Sequence, residues 1–390
     1  MSPFYRKNIY ILYFNRKYKV IDEMGEVNLD EFFCPNKACS DYGKRGRGNI
    51  VLKERYGKQN TALLRCKTCN KTFSENRGTP FFGLHTPKET VLRALAMLVE
   101  KGSIRGTARA MGVDKDTVAR WLKRAGEHCE EVTDYLLRDL KLSQVQIDEI
   151  WSFVKKDKNL KPDDPDEAGT KYVLIAQEAK TKLVISHRVG GRAHEDAVEL
   201  LTDTENRRDK STELPIFTSD DWDAYKNALL EVYGVEEQPE YKGRGRPPNP
   251  KKVPPPDLKY VQVVKHREGD EATDVKKRVV FGNEEEVLNA LESAGNSVST
   301  SYIERNNLTV RNGVSRLIRK TNNFSKRLNP LIMHLCLFFA WFNLVKPHDA
   351  LKIEIADGKQ RWKQRTPAMA ANLTDHIWGL EELFKFKPPP

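Results

Sequence analysis

Three acidic residues stand where a metal-dependent reaction on phosphate could use them. Asp148 lies in the middle of a β-rich segment at 145–154, and Asp220 follows a short apolar segment. Carboxylate oxygens are the ligands that Mg²⁺ and Mn²⁺ prefer, and two such ions can stabilise the attacking and leaving oxygens of a phosphoryl transfer. Glu304 supplies a third carboxylate and is followed, from Arg305 to His348, by eight Lys or Arg and by no Asp or Glu.

Both aspartates have an acidic neighbour, Glu149 and Asp221, so spacing alone leaves the ligand at each place open. The third carboxylate has a basic partner instead. Arg311 lies seven residues after Glu304, and at about 100° per residue the two side chains return to within about 20° of each other on a helix. An arginine in that position could hold DNA phosphate beside the metal-binding carboxylates.

Four of the six cysteines form two close pairs, Cys34 with Cys39 and Cys66 with Cys69. The 26 residues between the pairs suffice for a short β-hairpin that brings them together. Four thiolates then form a closed tetrahedral site, which predicts one structural Zn²⁺. Free or redox-active cysteines are the alternative.

Three helices are predicted after the second cysteine pair. Apolar residues recur at helical spacing over 87–100, and Ser103 and Asp114 can cap the two helices that follow. Gly112 can form the turn between them, as in a helix-turn-helix that binds DNA. An ordinary three-helix bundle with a solvated basic face is the alternative. The residues of the third helix predicted to contact DNA are Lys115, Thr117, Arg120, Lys123 and Arg124.

The middle of the chain predicts an α/β domain with a mixed sheet. Its predicted order matches the ribonuclease-H-like fold, in which a carboxylate of the first strand lies beside one that follows the fourth strand. The predicted elements are strands at 145–154, 172–176 and 183–189, a helix at 194–204, a strand at 214–218 and a helix at 224–233.

An insert of about residues 235–298 is expected before the helix that carries Glu304. It contains a predicted strand pair, at 260–266 and 276–281, and an acidic helix at 284–293.

The insert also contains an Arg-Gly-Arg-Pro sequence with Arg244 and Arg246. Arginines in so extended a peptide could reach into an A·T-rich minor groove. A basic, proline-stiffened linker is the alternative.

Composition agrees with a nucleic-acid-binding protein of two or three domains. The chain has 390 residues, 39% of them hydrophobic, and a net charge of +11. Residues 141–240 carry 14 basic and 22 acidic groups, whereas both flanking regions are basic. Basic surfaces attract polyanions, and an acidic centre between them fits cation-binding carboxylates.

Neither a membrane span nor secretion is expected from the sequence. The longest apolar run, at 331–345, is shorter than the roughly 18 residues that a membrane span needs and predicts a buried helix. Six cysteines are too few for a disulfide scaffold, and the N-terminus has no cleavage site typical of a leader. We therefore expect a reducing, cytoplasmic compartment in association with the nucleoid.

Several short motifs resemble those of one known family. D-E-I-W at 148–151, S-D-D-W at 219–222 and I-E-R-N-N-L at 303–308 are similar to the active-site signatures of the insertion-sequence-one family of DDE transposases. The two cysteine pairs, G-T-P-F-F-G-L at 78–84 and A-R-A-M-G-V at 108–113 resemble the N-terminal half of the same family. The resemblance covers roughly residues 30–350.

This resemblance implies both an activity and the residues that carry it. Asp148, Asp220 and Glu304 would bind two Mg²⁺ or Mn²⁺ ions, with Arg311 as the basic residue beyond the glutamate. Such enzymes bind the terminal inverted repeats of an insertion sequence, cut there and join the freed 3′ ends to target DNA, as homodimers or larger homo-oligomers. A catalytically silent DNA-binding regulator is the alternative. Further basic residues predicted to contact DNA are Arg305, Arg316, Arg319 and Lys320.

The expected architecture is therefore multidomain. Its predicted parts are an N-terminal segment at 1–30, a zinc ribbon at 31–83, an all-α helix-turn-helix domain at 84–138, a ribonuclease-H-like catalytic domain at 139–350 and a C-terminal extension at 351–390.

Overall fold

The protein divides into two compact units. The computed structural model describes residues 27–155, 167–239, 246, 248–268, 271–293, 300–357 and 360–390. One unit extends to Arg77 and includes the last two prolines, and the other runs from Gly78 to Pro388. The predicted boundaries at 138/139 and 350/351 lie inside the second unit, because its helices and its main sheet share one hydrophobic core.

The first unit is a small antiparallel sheet around the paired cysteines. Three strands follow one another as neighbours: β1 (Ile50–Tyr56), β2 (Thr61–Cys66) and β3 (Thr72–Ser74). A single 3-10 turn, Leu29–Glu31, precedes them in the described chain. Three of the cysteines are buried together with Leu64 and Phe73, so the core is built around the sulfur atoms. The predicted hairpin between the pairs is confirmed.

The second unit contains the remaining elements. In chain order they are α1 (Lys88–Val99), α2 (Ile104–Met111), α3 (Lys115–Leu136), β4 (Gln144–Val154), β5 (Gly169–Glu178), β6 (Val184–Gly190), α4 (His194–Arg207), β7 (Ile216–Asp220), α5 (Asp223–Tyr233), β8 (Val235–Glu237), β9 (Lys251–Val253), β10 (Lys259–Glu268), β11 (Glu271–Phe281), α6 (Glu284–Ser293), α7 (Ser301–Gly313), α8 (Leu328–Leu344), β12 (Ile353–Asp357), β13 (Gln360–Lys363), α9 (Pro367–Ala370) and α10 (Leu380–Lys385), with 3-10 turns at Ser315–Leu317 and Asp349–Leu351.

Local sequence explains how the first three helices begin and end. The Ser103 side chain accepts a hydrogen bond from the Gly106 amide over 3.0 Å at the start of α2. Gly112 ends that helix with a φ of 66°, a left-handed conformation in which a side chain is strained. Asp114 caps α3 by accepting from the amide of Asp116 over 2.7 Å. The predicted caps and turn are confirmed.

Six strands form one mixed sheet, in the order β11-β10-β7-β4-β5-β6. β4, β5 and β6 pair in antiparallel fashion, whereas β7 pairs with β4 in parallel. The sheet is therefore mixed, as predicted, and it is compatible with a ribonuclease-H-like domain. Side chains of β4 alternate between its two faces, so α7 contacts one face through Gln146 while Tyr225 of α5 contacts the other through Glu149.

The interval predicted as an insert contributes to this sheet. β10 pairs in parallel with β7, with Tyr260 opposite Phe217, and β11 adds an antiparallel edge. The predicted strand pair and the helix at 284–293 are confirmed as elements, but β10 and β11 belong to the main sheet and not to a separate inserted body. β8 and β9 form a two-stranded sheet of their own.

The longest apolar segment is the core helix α8. It is apolar on all sides, and it packs chiefly against α3, where Gly126 permits the approach: a Cβ there would lie 2.5 Å from the Met333 carbonyl oxygen. The stretch Leu328–Leu351 is long and apolar enough to cross a membrane by composition, but 72% of its most apolar part is buried inside the protein. The prediction of a buried helix here is confirmed.

Candidate active site

Two aspartates meet because of the register between two parallel strands. Ile147 of β4 is opposite Ser219 of β7, which places the next residues, Asp148 and Asp220, side by side. Carboxylate oxygens of Asp148, Asp220 and Glu149 all lie within 4.8 Å of one another. The structure therefore brings together two of the three carboxylates predicted to bind metal and adds Glu149 as a third member.

The environment of Asp148 opposes its ionisation. Burial and then the charge of neighbouring Asp220 raise the pKa of Asp148 to about 7. The charges of Glu149 and Glu304 act in the same direction, whereas the hydrogen bond from the Glu149 amide lowers the pKa. A buried group of carboxylates is stabilised when a cation joins it.

One face of α7 is directed at Asp148. Asn307 donates from Nδ2 to Oδ2 of Asp148 over 2.8 Å. Glu304, one turn earlier, acts on Asp148 through its negative charge, and Arg311, one turn later, acts through its positive charge. The pKa of Arg311 is lowered by burial and by the charge of Arg319. The helix face that Glu304 and Arg311 were predicted to share is thus directed toward Asp148.

Glu304 itself is not a member of the close carboxylate group. Its Oε1 accepts a hydrogen bond from the Thr300 hydroxyl over 2.5 Å. The assignment of Glu304 as a third metal ligand stays a prediction.

Glu149 is held by two partners on the opposite face of β4. Arg192 approaches its Oε1 over 2.5 Å, and the Tyr225 hydroxyl donates to its Oε2 over 3.0 Å. The Arg192 guanidinium lies 5.4 Å from the ring centre of Tyr172 and 4.9 Å from that of Trp222. Both carboxylate oxygens of Glu149 are therefore engaged by protein groups.

Asp221, the alternative to Asp220, turns to a different partner. Its carboxylate forms an ion pair with Arg278 of β11. It is absent from the close carboxylate group, which favours Asp220 as the ligand.

The donor set fits hard divalent cations. Asp148 and Asp220 offer oxygen atoms only, and Mg²⁺ and Mn²⁺ select such ligands over thiolate and imidazole. Burial and the charge of Asp220 raise the pKa of Asp148, and a divalent cation would offset both effects. Asp148 and Asp220 would hold the ions, and Asn307 would orient Asp148.

The four paired cysteines form a second candidate metal site. Their sulfur atoms all lie within 4.8 Å of one another. The Sγ atoms of Cys34 and Cys69 are 3.5 Å apart and those of Cys39 and Cys66 are 3.9 Å apart, so the thiols are free. Zinc–sulfur bonds of about 2.3 Å at tetrahedral angles place sulfur atoms about 3.8 Å apart. The cluster is compatible with zinc.

The basic face predicted on α3 is only partly exposed. Lys115, Arg120 and Lys123 are exposed, and Thr117 accepts a hydrogen bond from Arg120 over 3.1 Å. Arg124 instead donates to the backbone carbonyl of Phe82. The first three cations are thus the ones that could reach DNA.

Most of the other residues predicted to contact DNA are also exposed. Arg305, Arg319, Lys320 and Arg246 are exposed, and Arg244 lies outside the described residues. Arg316 differs, because burial lowers its pKa to about 10 and its Nη1 donates to the Ser325 hydroxyl over 3.1 Å. Its guanidinium joins the 3-10 turn after α7 to the segment that carries Ser325, and its contact with DNA stays a prediction.

Sequence reasoning missed the contacts that Asn307 and Arg192 make with the carboxylates. Asn307 lies three residues after Glu304 and four before Arg311, so the helical spacing that joined those two could have included it. Arg192 lies in a loop before α4, and no local pattern connects it to Glu149.

No protein-family model matches the sequence, and the search of curated proteins finds no match. Two solved structures are similar over part of the chain. A pre-cleavage Mos1 transpososome is 14% identical over 38% of this chain and 59% of that chain, with a TM-score of 0.17. The Mos1 strand transfer complex is 15% identical over 38% of this chain and 56% of that chain, with a TM-score of 0.16. The chain thus spans less than two thirds of either, and similarity this low identifies no shared fold.

Proposed function

We propose that this protein is a metal-dependent DNA strand-transfer enzyme, a transposase of the DDE type similar to the insertion-sequence-one family. The observation that carries the proposal is the pairing of Asp148 and Asp220 on adjacent parallel strands. A helix lies over this pair, and its Glu304, Asn307 and Arg311 act on Asp148. A purely structural acidic cluster would not need a helix with an acid, an amide and a guanidinium on one face.

Each residue has a separate part in the proposed reaction. Two bound Mg²⁺ ions would supply the charge that stabilises the attacking and leaving oxygens of the phosphoryl transfer. Asp148 and Asp220 bind these ions, with Glu304 completing the set from α7. Asn307 fixes the orientation of Asp148 through its hydrogen bond, and Arg311 positions the DNA phosphate. No covalent link between protein and DNA is required.

The DNA itself is bound at other surfaces in this proposal. The exposed Lys115, Arg120 and Lys123 of α3 read or hold the ends of the element, which are terminal inverted repeats. The cysteine site keeps one structural Zn²⁺. The protein acts as a homodimer or a larger homo-oligomer, because two DNA ends are joined together.

The test is a strand-transfer assay with DNA ends in Mg²⁺ or Mn²⁺. Asp220→Asn should abolish joining while DNA binding persists, since the substitution removes one charge and keeps the shape. Asp221→Asn is the matched control, because the adjacent carboxylate is paired with Arg278 and should be dispensable. Equal joining by wild type and Asp220→Asn would overturn the proposal. DNA binding without any joining by wild type would favour a catalytically silent regulator.

A further inference from the structure

Three aromatic residues form a continuous strip at the end of β4. The ring centres of Trp151 and Phe153 are 5.5 Å apart, and those of Phe153 and Phe324 are 5.1 Å apart. We call Trp151, Phe153 and Phe324 the aromatic strip. Trp151 is 41% exposed, although it is among the largest side chains in the protein and lies in the central sheet.

The aromatic strip continues from Glu149, on the face of β4 opposite to the one that Asp148 presents to α7. Glu149, Trp151 and Phe153 alternate along β4 and therefore share one face of the sheet. Two residues along a strand correspond to about 7 Å, so the indole lies about one nucleotide spacing from Glu149. Glu149 in turn belongs to the group of carboxylates with Asp148 and Asp220.

Two lysines, Lys155 and Lys326, each follow a ring of the strip by two residues in the chain. The Lys155 amide donates to the Ser325 carbonyl over 2.9 Å, which joins the end of β4 to the segment that carries Phe324. Lys326, next in the chain, is exposed. Aromatic rings with lysines beside them are the combination that binds single-stranded nucleic acid, since bases stack on the rings while cations contact the phosphates.

We propose that the aromatic strip is a stacking site for unpaired nucleobases of the DNA substrate, with Trp151 as the principal ring. The inference rests on the proposed function, because cleavage at a DNA end provides unpaired bases close to the group of carboxylates that includes Glu149. Bases inside a duplex already have both faces stacked, so the site takes unpaired nucleotides. The stacking is tolerant of base identity, because every base offers a π-face.

The test uses fluorescence of 2-aminopurine, which falls when this base analogue stacks. Full-length protein is titrated, with chelator and without divalent metal, into a duplex that carries 2-aminopurine in a short single-stranded 3′ extension. A blunt duplex with the same base paired is the second substrate. Wild type should quench the extension strongly. Trp151→Ala should bind the extended duplex about 5- to 100-fold more weakly and the blunt duplex equally well.

Two further variants separate stacking from folding. Trp151→Phe keeps an aromatic ring and should retain most of the quenching. Trp362→Ala is the matched control, because Trp362 is 38% exposed, lies near Lys352 and Arg361 and belongs to the separate β12–β13 sheet. It should behave as wild type.

The outcomes are distinguishable from those of the strand-transfer assay. Unchanged quenching and affinity in Trp151→Ala would overturn the stacking site even if joining is intact. Loss of self-association in that variant, with quenching unchanged, would assign the strip to a protein interface instead. Quenching that depends on Trp151, in a protein that joins no DNA ends, would support the stacking site and reject the proposed catalysis.

Discussion

Asn307 donates a 2.8 Å hydrogen bond to Asp148 and thereby joins α7 to the central strand of the sheet. This bond leaves the second oxygen of Asp148 with the Glu149 amide, so the orientation of the carboxylate is determined from two sides. Asn307 therefore links the helix that carries Glu304 and Arg311 directly to one of the proposed metal ligands.

Replacing Asn307 by alanine should weaken metal-dependent joining without unfolding the protein. Partners that orient a ligand typically contribute 10- to 100-fold in metal affinity or activity, and we expect a loss in that range. The measurement is the rate of strand transfer as a function of Mg²⁺ concentration. Asn312→Ala, an exposed asparagine on the same helix, is the control. An unchanged Mg²⁺ dependence in Asn307→Ala would contradict this positioning role.

Substitution of the two glutamates should show which is the third ligand. Glu149 already has Arg192 and Tyr225 on its two oxygens, so Glu149→Gln should reduce joining by about tenfold. Glu304→Gln should reduce it by more than about 100-fold, since it removes a ligand and not a support. Both rates are measured with the same DNA ends. The reverse order of the two losses would transfer the third ligand to Glu149.

Removing exposed cations of α3 should weaken binding to DNA ends. Lys115→Ala and Arg120→Ala each remove a charge that can contact phosphate, and each should lower the slope of log affinity against log salt by about 1. The measurement is a salt titration of binding. Arg93→Ala removes an exposed charge from α1 and is the matched control. Equal losses in all three variants would indicate a diffuse basic surface.

Zinc content should depend on the paired cysteines alone. Cys66→Ser should lose the metal and destabilise the β1–β3 sheet, because that sheet's core is built around the sulfur atoms. Metal analysis and limited proteolysis measure the two effects. Cys129→Ser, which removes a buried thiol of α3, should keep its zinc. Full zinc retention in Cys66→Ser would reject the site.

Buried histidines should make the fold sensitive to acid. Burial lowers the pKa of His128, His187 and His334 to about 4 each, whereas an unfolded histidine has a pKa of about 6.5. Below about pH 6.5 the unfolded chain binds protons that the folded chain does not, so each histidine lowers the free energy of unfolding by about 1.4 kcal/mol per pH unit. This destabilisation is absent above about pH 6.5 and reaches its full size near pH 4, below which the folded protein is protonated as well.

Urea unfolding of wild type and His128→Gln at several pH values isolates this effect. The stability difference between the two should change by about 1.4 kcal/mol per pH unit between about pH 6.5 and 4.5. Comparing the pair cancels the opposing contribution of Asp148, whose raised pKa favours folding in acid. A difference independent of pH would show that the pKa of His128 is the same in the folded and the unfolded protein.

Much of the local structure was predictable because its causes are local. Ser103, Gly112 and Asp114 act within one turn of their own positions, and the predicted caps and helix end are observed there. The β-rich segment at 145–154 likewise predicted β4, the strand that carries Asp148. The pairing of the cysteines depends on a short hairpin and was equally accessible.

The amino-acid sequence by itself determined which segments form helices or strands, their order, and which carboxylates, thiolates and cations they carry. Only the tertiary structure decided which of these meet. Arg192 contacts Glu149 and Arg278 contacts Asp221, because strand pairing and helix packing bring together residues far apart in the chain. Arg316 is half-buried for the same reason. β10 pairs with β7 in the main sheet although β7 lies some 40 residues earlier in the chain. Backbone hydrogen bonds hold the two strands together, and the sequence of neither segment predicts such pairing.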